Sequence, residues 1–134
     1  MLSYLFLGTN DLHAAEKFYD AVLPPLGYAR KNFGEQLNYF IPQIPDPHNG
    51  PGAIFIAKPF DGQSAVPGNG VMPAFRAVTP QEVDDIYYAG LEAGGKDEGK
   101  PGTRDAYGEN FYVAYLRDPD GNKVAFFFND PEDE

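Results

Sequence analysis

The apolar run Leu2-Ser3-Tyr4-Leu5-Phe6-Leu7 passes through the turn Gly8-Thr9-Asn10-Asp11 into a segment where Leu12, Ala15, Phe18, Tyr19 and Val22 recur at helical spacing. An extended apolar run, a turn bearing Asn and Asp, and then a 3.6-residue period predict a strand feeding a helix. Asn10 or Asp11 stands where the helix N-cap falls, because a short side-chain oxygen there satisfies a backbone N–H that the helix leaves unpaired. Pro24 and Pro25 end the helix, since proline cannot donate to the helical ladder. Short strands are predicted around residues 36–41 and 53–57, separated by the turn-rich segment 42–52.

The same order of signals returns further along the chain. Residues 71–78 read as a strand, and Thr79-Pro80-Gln81-Glu82 is a capping box with proline at the first helical position. Val83, Ile86, Tyr87 and Leu91 then give that helix a buried stripe, and Gly94-Gly95 ends it. Residues 111–116 and 123–128 form a hairpin around Asp118-Pro119-Asp120-Gly121-Asn122, whose Asp-Gly step is a strong turn signal. One offset of 68 residues sets Tyr4 against Met72 and Leu7 against Phe75. The expectation is an α+β fold of two tandem βαβββ modules within a single domain, 1–134. Module one spans 1–61, a Gly- and Pro-rich linker 62–70, module two 71–129 and an acidic tail 130–134. Two such sheets, each covered by helices on one face, leave their other faces free to meet as a curved cup.

Composition bounds the function. The 134 residues hold 10 Lys and Arg against 20 Asp and Glu, for a formal charge of −10. Such a field repels phosphate backbones and anionic lipids, so nucleic-acid and membrane-surface partners are not expected. Apolar residues are 43% of the chain, which excludes disorder, but no apolar run approaches the ~20 residues of a membrane helix. No basic segment precedes an apolar stretch at the start, and the expected location is cytoplasmic. With no cysteine there is no disulfide, no thiolate metal site and no cysteine nucleophile.

The duplicated module and three groups of residues resemble the vicinal oxygen chelate superfamily, which holds glyoxalase I, ring-cleaving dioxygenases and bleomycin-resistance proteins. The residues are Leu7-Gly8-Thr9-Asn10-Asp11-Leu12 followed by Phe18-Tyr19, then Gly68-Asn69-Gly70, then Asp118-Pro119-Asp120-Gly121-Asn122. The resemblance implies a paired βαβββ cup and a homodimer. In the enzymes of the family it implies a divalent metal held by His and Glu from four strands, acting as a Lewis acid on two vicinal oxygens or activating dioxygen. Carried over position by position, the first-strand His falls on Tyr4 and the Glu late in module one falls on or beside Phe55. The His opening module two falls on Met72, and the Glu of the last strand falls on Ala125.

None of these four is His, Asp or Glu, so the expectation is a cup without metal or other cofactor, its floor apolar and aromatic, with Arg76 the nearest charge. His13 in the first helix and His48 in the Pro-Asp-Pro-His-Asn-Gly turn read as structural or solvated. Ser3 and Ser64 stand in no nucleophile elbow, and no catalytic residue is assigned. The segment 100–108 reads as a long loop from which Arg104 and Tyr107 offer an anion contact and a hydroxyl. The expected role is metal-free binding of a small hydrophobic or aromatic molecule, as in bleomycin-resistance members, along Tyr4, Phe55, Met72, Arg76, Arg104, Tyr107 and Ala125. Two alternatives stay open: a metal-dependent lyase or ring-cleaving dioxygenase with relocated ligands, and a degenerate structural or partner-binding subunit.

Overall fold

A computed structural model describes residues 1–131; Glu132, Asp133 and Glu134 of the acidic tail lie outside the described residues. The first half runs β1 (Tyr4–Gly8), α1 (Leu12–Val22), β2 (Ala29–Phe33), β3 (Gln36–Phe40) and β4 (Ala53–Ala57). The second runs β5 (Ala74–Arg76), α2 (Pro80–Glu92), β6 (Lys96–Arg104), β7 (Gly108–Arg117) and β8 (Lys123–Asn129). Each half is one four-stranded mixed sheet, in the orders β1-β4-β3-β2 and β5-β8-β7-β6. In both, the first strand lies parallel to the last and the other pairs are antiparallel. The architecture is α+β, a repeated βαβββ unit.

The helices form where the caps and apolar stripes place them. Asp11, one of the two cap candidates, accepts from Ala14 N at 3.1 Å. Thr79 accepts from Glu82 N, while Glu82 reaches back to accept from Val78 N, so both orphan donors at the start of α2 are satisfied. α1 buries Ala15, Phe18, Tyr19 and Val22, and α2 buries Val83, Ile86, Tyr87 and Gly90. These side chains join Leu7, Leu37, Ile54 and Ile56 of the first sheet and Phe75, Ala114, Leu116 and Phe126 of the second in one continuous core. Gly90 sits where the two helices meet the second sheet. A Cβ there would come 2.5 Å from Leu116 Cδ1, 3.1 Å from Val22 and 3.3 Å from Phe18, so only glycine admits that approach.

Four core tyrosines tie helices to strands through aspartates. Tyr39 donates to Asp20, Tyr87 to Asp97, Tyr112 to Asp84 and Tyr19 to Asp118, at 2.6 to 2.8 Å. The Tyr19–Asp118 bond spans the two halves and belongs to a larger lock. Asp118 Oδ1 accepts from the backbone N–H groups of Asp120 and Asn122, and Oδ2 accepts from Tyr19 and Asn122 Nδ2. Asn122 Nδ2 also reaches Gly8 O, and Asp120 Oδ1 accepts from Asn10 N. The Gly8-Thr9-Asn10-Asp11 turn and the Asp118-Pro119-Asp120-Gly121-Asn122 turn therefore grip each other. Asn10 adds a two-way bond to Ala65 of the linker.

Three expectations about elements need correction. The stretch 29–33 is a strand the periodicity did not signal, because β2 is a mostly exposed edge whose Arg30, Lys31 and Asn32 face water. The strand expected over 71–78 is only Ala74–Arg76; Val71 and Val78 are exposed. The loop expected over 100–108 is mostly β6, an outer edge strand with three register shifts along β7. An edge of this kind tolerates Gly99, Pro101 and Gly102, since one side of it needs no partner. Among the described residues no helix is long and apolar enough to cross a membrane.

Candidate functional site

Strand alternation sorts each sheet into a face under the helices and a face free of them. Even-numbered residues of β7 and β8, such as Ala114, Leu116, Val124 and Phe126, enter the core. Their odd-numbered neighbours Phe111, Val113, Tyr115, Ala125 and Phe127 therefore point to the open face. In the first sheet Leu7, Leu37, Ile54 and Ile56 enter the core, which leaves Phe6, Asn38 and Phe55 on the open side.

Cross-strand pairing then gives two equivalent rows. Phe6 pairs with Phe55, Phe55 with Asn38 and Asn38 with Lys31. In the second sheet Ala74 pairs with Ala125, Ala125 with Tyr115 and Tyr115 with Gly99. Phe55 and Ala125 thus hold matching places in the two halves. The Tyr4 and Phe55 rings lie together, 4.5 Å between centroids. A groove of about 150 Å³ at the seam between the halves is lined by Tyr4, Tyr28, Ala53, Ala74 and Phe75 among others. Met72 stands apart from Tyr4: it precedes β5 and lines a separate groove of about 360 Å³ with Gly70, Arg117 and Lys123.

The remaining site residues gather on the second sheet. Arg76 is exposed and lays its guanidinium over the Phe127 ring, 4.8 Å from its centroid. Phe127 stacks on Phe111 at 5.1 Å and 14°, and Phe111 meets Tyr107 edge-on at 5.5 Å. Arg104 and Lys123 both lie over the Tyr115 ring, at 5.7 and 4.9 Å. Burial, together with the neighbouring Tyr107, pushes the Tyr115 hydroxyl above its ordinary pKa. Phe111, Tyr115 and Phe127 share this face although the sequence reading did not single them out as candidates. The odd-numbered alternation through 111–115 and 125–127 is the signal that finds them.

His48, read from sequence as structural or solvated, folds over the open face of the first sheet. Its Nδ1 lies 3.2 Å from Asn38 Oδ1, a contact in which the ring nitrogen donates, and its ring packs against Phe33 and Phe40. Asn38 is fully buried, and its Nδ2 has no partner among the described residues. His13, on α1, is exposed.

The strongly shifted groups sit away from this face. Burial and then the Asp97 hydrogen bond push Tyr87 up to about 12; the Asp84 bond and then burial do the same for Tyr112. Burial, followed by Asp118, raises Tyr19 well above its usual value. Burial also raises Asp118, overcoming the hydrogen bonds that stabilise its anion. These are ties between helix and sheet rather than poised catalytic groups.

The described residues contain no group of three or more His, Asp or Glu that could hold a metal ion. Two aromatic rings, a thioether outside the strand and a methyl group occupy the four positions carried over from the resemblance, and that donor set does not fit a divalent cation.

The chain belongs to the glyoxalase/bleomycin resistance protein/dioxygenase superfamily, whose family model matches residues 2–126. It is similar to a glyoxalase/bleomycin resistance protein from Albidiferax ferrireducens, 37% identical over 97% of this chain and 99% of that one, with a TM-score of 0.81. It shares its fold with a glyoxalase-related enzyme from Fulvimarina pelagi, 23% identical over 96% and 88% of the two chains, TM-score 0.73. It likewise shares its fold with the fosfomycin resistance protein FosX from Mesorhizobium loti, 14% identical over 99% and 95%, TM-score 0.69. No curated protein matches the chain.

Proposed function

We propose that this protein is a metal-free binding protein that takes a small aromatic or hydrophobic molecule on the open faces of its two sheets. The observation that carries the reading is that Tyr4, Phe55, Met72 and Ala125 offer no His, Asp or Glu, while aromatic rings occupy the open faces beside them. Tyr4 is 49% exposed and Phe6 45%, while Phe55, Phe111 and Phe127 are half-buried, so flat apolar groups are within reach of a ligand. Such rings contribute through apolar contact and stacking, which needs no metal. Tyr4, Phe55 and Ala125 form the floor, Arg76 stands beside it, and Arg104 and Tyr107 flank Tyr115; Met72 borders the neighbouring groove.

The protein acts as a cytoplasmic homodimer in this reading. Phe60 and Val66 are exposed apolar side chains beside a groove of about 420 Å³, a surface that a second copy would cover.

A thermal-shift screen against aromatic and hydrophobic compounds tests the reading. A ligand that raises the unfolding midpoint progressively, with the logarithm of its concentration above Kd, supports it, and a screen without any such compound overturns it. Elemental analysis of protein purified without chelator is the second check. A divalent metal bound in stoichiometric amount would replace this reading with a metal-dependent lyase or dioxygenase.

A further inference from the structure

On the open face of the second sheet, Arg76 forms no ion pair among the described residues and keeps donors to spare. Among the described residues the ion pairs are Arg30 with Glu16 and Asp20, and Arg117 with Glu98. Arg104 is committed to two carbonyls, donating to Lys100 O at 2.7 Å and Thr103 O at 3.1 Å. Lys123 lies close enough to Glu98 to help hold that carboxylate below its usual pKa, after the larger influence of Arg117. Lys31 sits over Phe33 on the exposed edge strand of the other sheet. Arg76 makes a single hydrogen bond, 3.3 Å to Asn129 O, although guanidinium has five N–H donors.

In a chain with twice as many acids as bases, an arginine that pairs with no carboxylate among the described residues is a placement to be explained. Its guanidinium carbon lies over the Phe127 ring, 4.8 Å from the centroid, so the ring supports one side of the group. A guanidinium held that way matches a planar oxyanion through two parallel hydrogen bonds. Phe127 and Phe111 continue the surface from the charged edge with stacked rings, so the body of the bound molecule is flat and apolar. The protein's overall field repels anions, and a preference for one must therefore arise at a local site.

We infer that Arg76 reads the charge of the ligand and that the molecule bound on the second sheet is an aromatic or flat apolar carboxylate. Its carboxylate lies on the Arg76 fork, and its ring lies against Phe127 and Phe111. This inference rests on the proposed binding function and narrows the class of molecule it accepts.

The test measures calorimetric titration of 2-naphthoate and of its neutral isostere 2-naphthamide on the full chain. We expect naphthoate to bind about tenfold more tightly, the worth of a charge-assisted pair at a partly exposed site. Arg76→Gln should abolish the difference between the two compounds, while Arg76→Lys restores part of it without the bidentate geometry. Lys17→Gln, on the exposed side of α1, should keep the full preference, which separates a local reader from a change in net charge. Arg76 is exposed, and unchanged circular dichroism of each variant verifies the fold. Equal affinities for acid and amide in the parent protein, or a preference that survives Arg76→Gln, overturn the inference and leave the binding function standing. Failure of both compounds to bind overturns both.

Discussion

The open faces of the two sheets are built alike and furnished differently. Each has the same strand order, and in each a row of four paired residues crosses the sheet: Phe6, Phe55, Asn38 and Lys31 in one, Ala74, Ala125, Tyr115 and Gly99 in the other. In the first, the turn Pro47–Asn49 brings His48 onto Asn38 between Phe33 and Phe40, and the chain covers part of its own sheet. In the second, small residues at 74, 99 and 125 lower the floor beside a row of rings that ends in the exposed guanidinium of Arg76. Duplication of a backbone fixes where side chains stand, and the side chains at matched places then divide the labour. One half closes on itself; the other keeps a charged, aromatic surface.

The comparison presumes that the halves are held together, and the largest expected effect comes from breaking that lock. Asp118→Ala strips the acceptor from Tyr19, from two turn N–H groups and from Asn122. It should lower unfolding stability by about 3 kcal/mol in urea titration. A loss below about 1 kcal/mol would mean that the turn is not what joins the halves. Gly90→Ala forces a methyl against Leu116, Val22 and Phe18, with an expected cost of about 2 kcal/mol by the same assay.

Binding is the next step down. Phe127→Ala should weaken 2-naphthoate about tenfold, or about 1.4 kcal/mol, whereas Phe55→Ala should cost less because His48 and its turn crowd that half. Equal losses would show that the ligand spans both sheets evenly. Asn38→Leu removes the acceptor of the His48 ring N–H along with an Nδ2 that has no partner among the described residues, so stability should fall by about 1 kcal/mol in urea titration while naphthoate binding should not change.

The smallest effect is in the pH dependence. Burial raises the carboxyl pKa of Asp118 in the folded protein above its unfolded value, so the folded state holds that proton more tightly. Its contribution is fully present below the ordinary aspartate pKa of 3.8 and is lost as pH rises through the raised folded value. Asp118→Asn should therefore show a flatter fall in stability than the parent over the range just above pH 4, read from urea midpoints at each pH. Parallel curves would assign the slope to the other acids.

Much of the architecture was legible in the chain because local and periodic signals agreed. Alternation, helical stripes, Asp11 and Thr79 at the caps and the Asp-Gly turn all pointed to a repeated strand–helix–strands unit, and Leu7 and Phe75 occupy the core positions that their shared offset predicts. The edge strands were not legible. Pairing along one side forms β2 and β6, and their sequences, Ala-Arg-Lys-Asn-Phe and Lys-Asp-Glu-Gly-Lys-Pro-Gly-Thr-Arg, carry no apolar period. The absence of metal-binding residues at Tyr4, Phe55, Met72 and Ala125 was also readable, since it depends on residue type alone.

Sequence alone determined the repeat, the helix boundaries and the residue types at Tyr4, Phe55, Met72 and Ala125, because each depends on residue identity and short-range spacing. Only the tertiary structure decided which turns grip each other, that His48 lies over Asn38, and that Arg76 lies over Phe127. Those contacts join residues 10 to about 110 positions apart. They exist because cross-strand register and the meeting of the two halves bring distant side chains to one place, and local spacing along a chain carries no record of that meeting.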